Sequence, residues 1–89
     1  MKFEWDEEKN LKNIEKHGLS FEYASLVFND EHRIEKYDDK HSQDENRYNV
    51  IGMVNEILFV VITYREGDTI RIISARRANK RERGEYEWQ

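Results

Sequence analysis

The hydrophobic period of this 89-residue chain changes from helical to alternating near residue 33, and that change constrains the fold more than any other feature. Before it, apolar residues recur at helical spacing. Asp6 offers an N-cap carboxylate, Glu7 and Glu8 suit the positive first turn, Lys16 and His17 suit the last, and Gly18 fits the position after it. A helix over about 7–17 follows, with only Leu11 and Ile14 as its apolar stripe. Ser20 caps a second helix, in which Phe21, Ala24, Val27 and Phe28 share one face up to Asn29-Asp30. After residue 33 the period is two. Strands are predicted at 33–37, 48–53, 57–65 and 69–75, and Lys2–Trp5 alternates in the same way. Ile57–Ile62 is the most apolar run and should be central, and Glu66-Gly67-Asp68 makes a short hairpin connection. A very polar helix closes the chain over about 78–88. The order β-α-α-β-β-β-β-α describes an α+β fold. Its consecutive hairpins predict an antiparallel meander with helices on one face and the basic third helix near the end of the sheet.

Size and composition narrow the class. Residues 1–89 make a single domain, too small for a dinucleotide fold or a repeat array. A chain of this length buries roughly 60–65% of its unfolded surface, so a permanent partner is physically sensible. Hydrophobic residues are 37% and charged residues 38%, but two Trp, five Tyr and four Phe supply core area and argue against disorder. No cysteine is present, which excludes disulfide scaffolds, thiol nucleophiles and Cys-type zinc sites. The start MKFEWDEEKN has no secretory apolar region, and the longest apolar run, Ile57–Ile62, is far below a membrane span. The expectation is a cytoplasmic protein without a membrane role.

Charge is unevenly placed. Residues 1–46 hold 13 acidic and 7 basic side chains; residues 47–89 hold 6 and 8. Between Arg71 and Arg83 lie Arg71, Arg76, Arg77, Lys80, Arg81 and Arg83, against Glu82 alone. Such a patch attracts a phosphate backbone or an acidic partner. Arginine dominates it, and guanidinium forks suit bidentate phosphate recognition. Simple alternation places Arg71 with Ile73 and Ala75 on one face of their strand, and Arg76 with Ile72 and Ser74 on the other. The loop Asp38–Asn46 contains His41, an acid–base candidate at neutral pH, and Glu45, a carboxylate that Arg47 could orient. Its oxygen ligands could take a divalent cation, but the spacing matches no EF-hand. His17 reads as a helix cap and His32 as a turn residue. Trp5 and Trp88 read as docking anchors, while Tyr64-Arg65 and the Glu82–Tyr86 pair could serve either packing or a ligand.

Three segments together carry a family likeness: FEWDEEKNLKNIEKHGLSFEYASLVFND, DDKHSQDENRYNVIG and RIISARRANKRERGEY. In this order and spacing the chain resembles the BrnT toxins of bacterial type II toxin–antitoxin modules, from Phe3 to Tyr86. The resemblance implies a RelE-like fold with a twisted antiparallel sheet, two N-terminal helices and a C-terminal helix. It implies a ribonuclease that arrests translation and needs no cofactor. It further implies neutralisation by a BrnA-type ribbon-helix-helix antitoxin, in a heterotetramer that touches operator DNA only through the antitoxin and represses its own operon. By motif position, Arg47 and Arg76 are the first candidates for catalysis, followed by His41, Glu45, Arg65 and Tyr86. Metal-independent cleavage through the ribose 2′-OH needs a base (Glu45 or His41), a phosphate clamp (Arg47 and Arg76) and help for the leaving group (Arg65 or Tyr86). Arg71, Arg77 and Lys80 would hold flanking phosphates of RNA. The alternative from another class is a non-catalytic subunit of a repressor complex, since an acidic partner would need the same arginines.

Overall fold

The computed structural model describes all residues 1–89. The first helix, α1 (Glu7–His17), begins where Asp6 accepts a hydrogen bond from Lys9 N and ends where Gly18 turns left-handed at φ 71°. Both ends are those the local sequence encodes. The next helix, α2 (Phe21–Ser25), is capped by Ser20 and tightens into a 3₁₀ turn over Leu26–Asn29. Two buried asparagines bind this αα unit together. Asn10 Oδ1 accepts Phe21 N at 2.8 Å, and Asn13 Nδ2 donates to the Leu19 carbonyl at 2.8 Å.

Five strands follow the predicted segments closely: β1 (Lys2–Glu4), β2 (Ile34–Tyr37), β3 (Tyr48–Val54), β4 (Glu56–Arg65) and β5 (Thr69–Arg77). They form one sheet in the order β1-β5-β4-β3-β2. The meander from β2 to β5 is antiparallel as expected. The sheet as a whole is mixed, because β1 lies parallel to β5, with Phe3 opposite Ile70. The helical unit carries the chain from one edge of the sheet to the other, so the meander returns to β1 last. Three alternating residues encode a strand but neither its neighbour nor its direction.

The helices also divide between the two faces, where one face was expected to hold them. On the first face, α1, α2 and the 3₁₀ turn cover a core of Leu19, Phe21, Ala24, Val27, Phe28, Val50, Leu58, Val60, Ile62, Ile70, Ile72 and Ala75. Helix α3 (Lys80–Glu87) packs instead against β3 on the second face. Its one buried residue is Glu82, so side-chain polar contacts hold it: Glu82 to Arg76, Glu85 to Lys36, and Tyr86 to Asp30.

A bulge in β5 decides what the second face carries. Val61 pairs with Ser74 but Ile62 pairs with Ile72, so Ile73 is an extra residue. The bulge resets the alternation. Arg71, Ser74 and Arg76 therefore share the second face, while Ala75 and Arg77 turn to the first. The simple alternation, which separated Arg71 from Arg76, is corrected by that single inserted residue.

Candidate functional site

The second face holds a hollow of about 360 Å³ between the 38–47 loop and the end of β5, lined by Asp38, His41, Arg47, Asn49, Phe59, Val61, Ile73, Ser74 and Arg76. Strands β3, β4 and β5 each contribute, because Asn49 pairs with Val61 and Phe59 with Arg76 across the ladder. Phe59, Val61 and Ile73 make an apolar floor beneath charged walls. A floor of this kind lowers the local dielectric and strengthens the polar contacts above it.

Arg76 stacks on the Phe59 ring, its guanidinium carbon 4.2 Å from the ring centre. Its Nη1 and Nη2 donate to Glu82 Oε1 and Oε2 at 2.8 and 2.9 Å. The hydrogen bonds it donates to Glu82 hold the Arg76 guanidinium above the ordinary arginine range, although burial opposes this. Burial pushes the Glu82 carboxyl up, but Arg76 and the Asn79 backbone outweigh it and leave it below the usual carboxylate value.

On the opposite wall the loop is fastened to itself and to the sheet. Ser42 Oγ accepts Arg47 N at 2.9 Å and donates to the Asp38 carbonyl, and Asp38 N donates to the Arg47 carbonyl at 2.8 Å. Thr63 Oγ1 donates to the Asn46 carbonyl at 2.7 Å, tying the loop to β4. His41 Nδ1 lies 2.8 Å from Asp38 Oδ2. Burial raises the Asp38 carboxyl, but its bonds to His41 and Asn49 overcome this and keep it below the usual range. A carboxylate can only accept, so the imidazole donates from Nδ1, and in the neutral ring Nε2 is then the acceptor. Three buried side-chain polar atoms in the chain lack a partner, and two of them, Arg47 Nε and Asn49 Oδ1, belong to residues lining this hollow. Buried polar groups are nearly always hydrogen-bonded, so these two atoms are open to a water or a ligand.

The other sequence candidates distribute unequally. Glu45 lines an adjacent hollow of about 240 Å³ together with His41 and Arg47, and it sits 3.7 Å from Arg47 Nη2. Arg65 pairs with Glu45 at 3.3 Å, and Arg71 pairs with Glu4 at 2.8 Å. These two lie on the same face as the hollow but outside its lining. Lys80 is exposed at the start of α3 and also outside it. Tyr86 donates to Asp30, whose carboxylate also accepts Met53 N, so its hydroxyl fastens α3 to β3 away from the hollow. Arg77 is on the opposite face, where it reaches Glu56 and the His17 carbonyl at 2.8 Å each. Asp38, Asn49 and Phe59 escaped the sequence reading. The three-residue spacing from Asp38 to His41 was an available signal for the first, whereas Phe59 was indistinguishable from core within its apolar run. No group of three or more His, Asp or Glu side chains is arranged as a metal site. No helix is long and apolar enough to cross a membrane.

Comparison with known proteins adds to this geometry. A family profile described as "Ribonuclease toxin, BrnT, of type II toxin-antitoxin system" matches residues 5–82. The chain is also similar to the Brucella abortus ribonuclease toxin BrnT, solved by crystallography, with 30% identity and a TM-score of 0.66 over 90% of this chain and 99% of that one. A search of curated proteins finds no match. The profile spans the residues lining the hollow and the four strands β2 to β5, so the whole site lies inside the matched region. The chain belongs to the BrnT family, the ribonuclease toxins of type II toxin–antitoxin systems.

Proposed function

We propose that this chain is an endoribonuclease that cleaves RNA without a metal ion, through attack of the ribose 2′-OH, in the hollow between Arg47 and Arg76. The observation that carries the reading is that Arg76, at the end of β5, and Arg47, in the loop before β3, line one hollow with an apolar floor. Arg47 and Arg76 hold the scissile phosphate and stabilise the charge that gathers on its oxygens. One lost donor of this kind costs roughly 10²–10³ in rate. His41 takes the 2′-OH proton on Nε2, and its position in the hollow favours it over Glu45, which faces the neighbouring hollow. The 2′-oxygen bonds to phosphorus, the bond to the 5′-oxygen breaks, and that oxygen takes a proton from solvent water. The products end in a 2′,3′-cyclic phosphate and a 5′-hydroxyl. The placement of Arg65 and Tyr86 outside the lining argues against either as the proton donor to the leaving group.

In the family context the activity arrests translation in the cytoplasm. A type II family implies an antitoxin partner. We assign this role to a BrnA-type ribbon-helix-helix protein that covers the second face, forms a heterotetramer and represses the operon through its own DNA contacts. The antiparallel meander from β2 to β5 and the C-terminal helix α3 support the RelE-like reading of the fold. Purified chain incubated with labelled RNA in EDTA should yield cyclic-phosphate ends, and Arg47→Ala should abolish them. Intact RNA with folded wild-type chain refutes the enzyme and leaves the repressor subunit. Cleavage that EDTA stops refutes metal independence.

A further inference from the structure

We propose that Glu82 is a positioning residue of this site: it grips one edge of the Arg76 guanidinium and thereby presents the other edge to the scissile phosphate. The inference rests on the nuclease reading above and extends it to a residue outside the hollow's lining.

Donor counting carries the inference. A guanidinium has five N–H donors in two usable forks. Glu82 takes the end-on fork with both oxygens, and the remaining Nη1 hydrogen has the Arg77 carbonyl at 3.2 Å. What remains unpartnered is Nε–H and one Nη2–H, which point the same way and form the side-on fork. That fork matches two oxygens of a phosphate. The Phe59 ring beneath the group fixes its plane, and the carboxylate fixes its rotation within that plane.

Glu82 is itself held. Its residue is 6% exposed, and it closes a capping box in which Asn79 Oδ1 accepts Glu82 N while Glu82 Oε1 accepts Asn79 N at 2.8 Å. One carboxylate thus joins the first turn of α3 to the phosphate clamp. The arrangement also explains why a helix with no apolar face docks where it does. A carboxylate present only to offset charge would need neither the two-oxygen grip nor this burial.

Glutamine at this third helical position keeps a capping box, so Glu82→Gln isolates the link to Arg76. Its single side-chain oxygen cannot grip both guanidinium nitrogens, and its amide sets a donor against a donor. With folding verified by circular dichroism, we expect Glu82→Gln to lower kcat by about 10²-fold and to leave KM for an RNA oligonucleotide within about threefold. Glu82→Asp, which restores a carboxylate, should recover most of that loss. Arg76→Ala/Glu82→Gln should be no slower than Arg76→Ala alone, because both changes act through one group. Wild-type kcat in folded Glu82→Gln overturns the proposal, as does a double variant whose losses multiply. Independently of activity, the Arg76 Nη–H signals in NMR spectra should be resolved in the wild type, because the two-oxygen grip hinders rotation of the guanidinium, and should merge and broaden in Glu82→Gln. If the wild type cuts no RNA, the nuclease reading fails on its own. Arg76 Nη–H signals unchanged by Glu82→Gln then overturn the positioning role separately.

Discussion

Arg76 and Arg77 are adjacent in sequence, yet the bulge and pleat of β5 send them to opposite faces of the sheet. Replacing each with alanine should therefore give very different enzymes. Arg76→Ala removes a guanidinium aimed at the hollow, for a rate loss of roughly 10²–10³, or about 3–4 kcal/mol of transition-state stabilisation. It also strands the Glu82 carboxylate, whose side chain is 8% exposed and keeps only the Asn79 backbone donor. Breaking a fully buried pair costs roughly 3–5 kcal/mol. Arg76 is 37% exposed, and solvent screening reduces the cost to about 2 kcal/mol. For a domain of this size that lowers Tm by roughly 8–16 °C. Arg77→Ala loses an ion pair to Glu56 and a bond to the last turn of α1 from a side chain that is 56% exposed. Such contacts are worth about 0.2–1 kcal/mol, so Tm should fall by a few degrees and cleavage should stay within about threefold. The assay is single-turnover cleavage of labelled RNA at a temperature where circular dichroism shows each variant folded. Equal loss in the two variants, or a greater loss in Arg77→Ala, would refute the assignment of the site to the second face.

Further outcomes follow from single contacts. Tyr86→Phe deletes the bond to Asp30 and should cost about 1 kcal/mol in denaturant unfolding while leaving cleavage unchanged; a large activity loss would return Tyr86 to the chemistry. A methyl group on Gly52 would meet Val27 Cβ at 2.9 Å and Arg33 Cβ at 3.4 Å, so Gly52→Ala should destabilise by about 1–3 kcal/mol; an unchanged Tm would contradict that packing. Asp30, Asp38 and Glu82 all titrate below the usual carboxylate range in the folded state. Their contribution is complete above the unfolded pKa of about 4 and is lost as pH falls through the folded values, so Tm should drop on acidification below about pH 4, and less steeply in Asp30→Asn. Tyr64 and Tyr86 are pushed up to about 12 by burial and by bonds to Glu35 and Asp30. The stability they add is present below pH 10 and disappears as pH rises toward 12, which alkaline unfolding followed by tyrosine absorbance can test.

Much of the candidate site was legible as chemistry before it was legible as geometry. His41, Arg47 and Arg76 stand out because a titratable ring and forked cations beside turns suggest phosphate work, and all three line the hollow. Asn49 and Phe59 did not stand out, because each acts through a neighbour supplied by another element, and Asp38 did not because its contact with His41 lies within a uniformly polar loop. Glu82 read as one acid in a basic stretch. Its significance arises from a contact six residues back along the chain, which needs β5 and α3 to meet at a fixed angle.

The amino-acid order alone determined the helices, their caps and the strand segments, because propensity, capping and periodicity act within a few residues. Asp6, Gly18 and Ser20 end their helices where their side chains or backbone freedom require it. Tertiary structure alone decided that β1 joins β5 in parallel, that α3 crosses to the second face, and that Ile73 bulges so that Arg71 and Arg76 share a side. These choices depend on packing between residues far apart in the chain, where one inserted residue reverses which face a guanidinium reaches.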